Sequence, residues 1–262
     1  MDKSETGGQA PCLTVSRGVM FMKDAKRGFV PSDEREFGPE AIPKLRRATE
    51  DVYYLLNHGY PVKGATRFIG DHFMFSERQR LALARTVSPK ERILSRKTRE
   101  VENIAGETIY IDGFNIIIGL EIAFAESMLF RCMDGTIRDL AGLRGTYRLI
   151  QETDLAINAL LKALEKQQVT KAVICLDKPV SNSGRLKQKI NELAENVDIE
   201  VEVLIEDAVD YELKQKPLIA SGDAIILDEC EKWFNLAKFV IEDSIGDYEY
   251  IDICPQNEEI EG

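Results

Sequence analysis

The chain has 262 residues, 44% of them hydrophobic, with 34 Lys+Arg against 45 Asp+Glu and a formal net charge of -11. That is enough apolar material for a sizeable core. The longest apolar region, 109–130, is interrupted by Asp112, Glu121 and Glu126, which excludes a membrane span, and no charged-then-apolar signal segment opens the sequence, so the expected location is cytoplasmic.

Five cysteines, an odd number with no CxxC pair, argue against a disulfide framework and against a thiolate zinc site. Charge is unevenly spread: residues 36–104 carry 13 Lys+Arg against 9 Asp+Glu, whereas residues 105–262 carry 15 against 31. Such a split suggests two units with different partners.

Residues 1–35 lack sustained periodicity and read as an irregular arm. From Pro39, Ile42, Leu45, Ala48, Val52, Leu55 and Leu56 fall at three- and four-residue steps and predict a helix that ends at His58-Gly59-Tyr60-Pro61. A second helical stretch opens at Ser76, a candidate N-cap, and a third at Ser88-Pro89. Arg78, Arg80, Arg85, Lys90, Arg92, Arg96, Lys97 and Arg99 are expected on their exposed faces, giving residues 36–104 the character of a small helical domain with a basic side suited to phosphates. His58 and His72, without neighbouring ligands, do not suggest zinc.

After Gly106 strands and helices alternate. Residues 107–112 predict a strand ending in Asp112, followed by helix-like or mixed sequence to Phe130 and a hairpin turn at Asp134-Gly135. A long amphipathic helix is expected from Thr146 to about Gln167, then a buried strand ending in Asp177 and a helix capped by Ser183. A further strand ends at Glu206-Asp207, and a short helix is expected over 211–216. The strand 217–221 leads into Gly222-Asp223, and a helix through Trp233, Leu236, Phe239 and Val240 precedes a last strand, 248–253. This order implies a mostly parallel sheet covered on both sides.

Asp112, Asp177, Asp207 and Asp223 each stand at or just beyond the carboxyl end of a predicted strand, with Asp210 one helical turn after Asp207. In a parallel sheet with right-handed crossovers those ends share one edge, the edge where open α/β sheets bind ligands. Several carboxylates at close range call for a cation, and hard oxygen donors suit Mg²⁺ or Mn²⁺. A cluster of this kind serves attack of metal-activated water on a phosphodiester. Glycine-cradle nucleotide binding has no support, because neither GxGxxG nor a Walker loop follows a strand. The acidic half also lacks a histidine to serve a Ser or Cys nucleophile.

The run Asp112-Gly113-Phe114-Asn115 at the end of its strand resembles the opening motif of the PIN-like nucleases, particularly the NYN branch. Asp177, Asp210 or Asp207, and Asp223 in Ser221-Gly222-Asp223 are similar to that family's later acidic positions. The resemblance covers roughly residues 107–254, and the whole chain resembles prokaryotic proteins in which a helical domain precedes such a domain. It implies a three-layer α/β/α PIN-like domain (105–254), preceded by the all-helical domain and followed by an acidic tail (255–262). It also implies a Mg²⁺- or Mn²⁺-dependent endoribonuclease with Asp112, Asp177, Asp210 and Asp223 as catalytic carboxylates and Asp207 as a further candidate ligand. Asn115 and Ser221 would orient ligands or substrate, and Arg138, Arg144 and Arg148, near the crevice edge, would hold an RNA backbone. A homo-oligomer is compatible with this reading. The alternative is an inactive RNA- or protein-binding module with the same fold.

Overall fold

The computed structural model describes residues 26–142 and 145–255. Most of the expected N-terminal arm, nearly all of the acidic tail, and Arg144 lie outside them. Five helices come first: α1 (Asp33–Glu36), α2 (Ile42–Asn57), α3 (Val62–His72), α4 (Glu77–Thr86) and α5 (Lys90–Arg99). The α2 stripe Leu45, Ala48, Val52 and Leu56 is buried as its spacing requires. Ser76 caps α4 reciprocally: its hydroxyl accepts from the Gln79 amide while the Gln79 side chain accepts from the Ser76 amide. Helix α3 was not expected, because Gly64 and Gly70 dilute its helical pattern.

Next come β1 (Thr108–Asp112), α6 (Gly113–Phe124), β2 (Phe130–Arg131), β3 (Ile137–Arg138), α7 (Gln151–Lys166), β4 (Lys171–Asp177), α8 (Ser183–Ala194) and β5 (Glu200–Glu206). The chain finishes with α9 (Val209–Leu213), β6 (Ile219–Ala220), α10 (Ala224–Leu227), α11 (Leu236–Ser244) and β7 (Ile251–Asp252). The main sheet has the order β5-β4-β1-β6, all neighbours parallel.

Alternation along the strands supplies two faces. Ile109, Ile111, Ala172, Ile174 and Leu176 pack with apolar residues of α6, α7, α8 and α11. Tyr110, Val173, Cys175 and Ile219 pack with α9, α10 and Trp233. The α/β part is therefore a three-layer α/β/α unit. From β1 the chain moves to β4 and β5 on one side, then returns to β6 on the other, so the topological switch point lies between β1 and β6.

Several boundaries differ from the sequence-based expectation. The helix expected from Thr146 starts at Gln151, because Tyr147 is drawn inward: its hydroxyl donates to Glu121 at 2.6 Å and its carbonyl accepts from Asn182 at 2.6 Å. Trp233 is not helical; its backbone forms isolated bridges to Glu100 and Ile219, and its indole N–H donates to the Arg96 carbonyl at 2.8 Å. The last strand shortens to β7 and leaves the main sheet, pairing with β2 in a small sheet ordered β3-β2-β7. The hairpin expected at Asp134-Gly135 is present as antiparallel β2 and β3.

The front helices share their core with distant segments. Phe130, Met133 and Leu140, in and around the β2–β3 hairpin, and Ile253, after β7, pack among Leu45, Val52, Ile69, Leu83 and Ile93. No helix among the described residues is long and apolar enough to cross a membrane.

Candidate active site at the carboxyl edge of the sheet

Asp112 ends β1 and caps α6, its Oδ1 accepting from the Asn115 amide at 3.3 Å. Helix α6 begins directly at Gly113, which is explained by packing: a Cβ there would lie 2.6 Å from Leu176 and 2.9 Å from the Cys175 carbonyl. This glycine lets helix and strand approach closely. Across the switch point, Ser221 is buried and donates to Asp112 Oδ2 at 2.8 Å while accepting from the Asp223 amide at 3.0 Å. Asn115 Oδ1 accepts from the Gly222 amide at 2.7 Å, a second tie between the two strand ends. Asp223 caps α10, accepting from the Ile225 amide at 2.7 Å.

Asp112, Asp177, Asp210 and Asp223 line one cavity of about 230 Å³, together with Arg85, Phe114, Asn115 and Asp139. Burial pushes the Asp112 carboxyl up to about 7; Asp177 and Asp223 add to the rise, and the hydrogen bonds from Ser221 and Asn115 oppose it. Asp177 is raised by burial and then by Asp210. Asp210 is raised by burial and then by Asp223, with Lys214 opposing. The repulsions thus close a ring through all four carboxylates. Asp207 lies apart, 79% exposed and paired with Lys178 at 3.0 Å.

The arginines differ from expectation. Arg138 is buried, and its guanidinium donates to the Gly222 carbonyl at 2.6 Å, the Arg85 carbonyl at 2.5 Å and Asp134 at 2.6 Å, so it holds the turn before Asp223 instead of reaching outward. Arg148 is exposed and outside the cavity lining. Among the helical arginines, Arg78 binds Asp33 and the Gly28 carbonyl, and Arg80 binds Asp71 and the Phe75 carbonyl. Arg96, 2% exposed, binds Asp134, Asp228 and Ser88. Arg99 donates to the Cys230 carbonyl at 2.7 Å. Lys90, Arg92 and Lys97 are exposed as expected, whereas Arg78, Arg80, Arg85, Arg96 and Arg99 are partly or fully buried, because a guanidinium's five donors satisfy acids and carbonyls between elements.

Two lining residues carry no strand-end signal. Arg85, on α4, pairs with Asp139 at 3.6 Å, and burial raises the Asp139 carboxyl despite that pairing. Asp139 follows β3, which is outside the main parallel sheet, so no parallel strand points to it.

A family model described as a domain of unknown function (DUF5616) matches residues 101–239. The chain belongs to this family. The DUF5616 match begins just after α5 and contains all four carboxylates, while a second model, described as a protein of unknown function (DUF434), matches 44–99, the stretch of α2 to α5. The chain is similar to the Uncharacterized protein MJ0935 of Methanocaldococcus jannaschii, 39% identical over 185 residues that cover 70% of this chain and 88% of that protein. No solved structure matches it.

The donor chemistry of the cavity fits a divalent cation. Among the described residues no three His, Cys, Asp or Glu side chains converge closely enough to enclose one ion. Mg²⁺, however, is ordinarily held by one or two carboxylates with waters and substrate phosphate completing its shell, which suits carboxylates spread around a cavity.

Proposed function

We propose that this DUF5616 protein is a cytoplasmic Mg²⁺- or Mn²⁺-dependent endoribonuclease acting at the ends of β1, β4 and β6. One observation carries the reading: four carboxylates from separate elements line one cavity at the switch point, where burial and then the neighbouring acids raise Asp112, Asp177 and Asp210. Of Asp112, Asp177, Asp210 and Asp223, one or two would hold the cation directly and the others through water; when bound, it supplies charge for the phosphoryl oxygens and acidifies coordinated water. Ser221 fixes one oxygen of Asp112 and the Asn115 amide fixes the other, so this carboxylate is oriented before any ligand arrives. RNA as the substrate follows from the resemblance to PIN-like nucleases.

The test is cleavage of end-labelled RNA with Mn²⁺. Wild type is expected to cut; Asp112→Asn, with its circular dichroism unchanged, is expected to lose about 100-fold or more in kcat, and EDTA to stop the reaction. If wild type cuts neither RNA nor DNA with Mn²⁺ yet binds RNA as tightly as the variant does, the chain is a binding module.

A further inference from the structure

We propose that a second cavity, continuous with the carboxylate cavity, is the subsite for the nucleoside joined to the bound phosphate; this rests on the phosphodiesterase reading above. The two cavities share Arg85, Asn115, Asp139 and Asp223 as lining residues. The second holds about 250 Å³; beyond the shared residues its wall is mainly apolar, with Ala84, Gly119, Ile137, Ile225, Ala237 and Ile241, and Arg138 is its charged exception. That is below the ~300–1,000 Å³ range of pockets for drug-sized ligands, a volume for one base with its sugar.

Gly119 gives the cavity its meaning. It sits in the interior of α6, where glycine weakens a helix relative to alanine. Unlike Gly113, it is not required by packing, since a Cβ at Gly119 would meet nothing within 4 Å. Its φ lies outside the left-handed region, so backbone conformation does not require glycine either. What its missing side chain does is keep the wall of the cavity open. At the junction Arg85 lines both spaces, its guanidinium paired with Asp139, and a guanidinium there suits a phosphate shared between them. The apolar wall beyond it suits the flat face of a base, with Asn115 and Asp139 at the sugar edge.

The probes are adenosine 5′-monophosphate and ribose 5-phosphate, added with Mg²⁺ to full-length protein carrying ¹³C-labelled isoleucine methyls. The mononucleotide is expected to shift the Ile137, Ile225 and Ile241 methyls saturably, with ribose 5-phosphate at least about tenfold weaker. Gly119→Leu, whose Cβ meets nothing within 4 Å, extends a side chain into the space and is expected to abolish the discrimination while leaving Mn²⁺ binding, followed by electron paramagnetic resonance, as in wild type. Ile225→Glu, at an exposed position, is the second variant should the first fail to fold, and is expected to weaken the mononucleotide in the same way. Equal binding of the two probes by wild type, or undiminished discrimination in the folded variants, overturns the subsite. RNA cleavage is scored separately: cleavage without discrimination sinks only the subsite, and discrimination without cleavage sinks only the nuclease.

Discussion

At the scale of the residue, Asp112 makes the site dependent on pH. Unfolded, its carboxyl titrates near 3.8; folded and free of cations, burial moves it to about 7. Between those values the native state keeps a proton that the unfolded chain has lost, so this group lowers stability as pH rises through the window and has no further effect above it. Asp112→Asn removes the effect. In EDTA, its stability relative to wild type, measured by urea unfolding, should improve by about 2–3 kcal/mol from pH 5 to pH 8, at about 1.4 kcal/mol per pH unit across the window. A cation competes with the same proton, so Mn²⁺ affinity should rise with pH up to about 7 and then level off, which isothermal titration measures directly. The position of this acid was legible in the sequence, as were those of Asp177 and Asp223, because parallel strands deliver their carboxyl ends to one edge. Asp207 and Asp210 were not separable there: three residues apart around the start of a short helix, they differ only in which way the turn faces them.

At the scale of the element, the β2–β3 hairpin is a joint. Asp134, in its turn, accepts from Arg96 of α5 and from Arg138 of β3, and Arg138 passes the connection to the Gly222 carbonyl beside the site. Burial opposes the Asp134 charge, but Arg138, the Thr136 hydroxyl and Arg96 outweigh it and hold the carboxyl below its usual range. Arg96→Met should therefore cost about 3 kcal/mol in urea unfolding, the low end for breaking a buried pair because Arg138 still faces Asp134. The hairpin turn was visible in the sequence, but these ion pairs were not. Arg96 and its partners Asp134 and Asp228 are separated by 38 and 132 positions, and a helical arginine reads as solvated until its partner's place is known. The same limit hid Arg85 and Asp139, whereas helix α2 and strands β4 and β5 were legible because their signals are local and periodic.

At the scale of the molecule, the front helices and the α/β unit complete each other. Two family matches divide the chain near residue 100, yet the helical core contains Phe130, Met133, Leu140 and Ile253. Residues 26–104 expressed alone should show helical circular dichroism but no cooperative thermal transition, since those four side chains leave a gap that neighbouring helices cannot close. The chain's one tryptophan lies on this seam: Trp233 is fully buried, bridged to Glu100 on one side and to Ile219 of β6 on the other. Its fluorescence is consequently a built-in gauge, with a single emission band that reports whether the helices remain seated against the strand leading to Ser221 and Asp223.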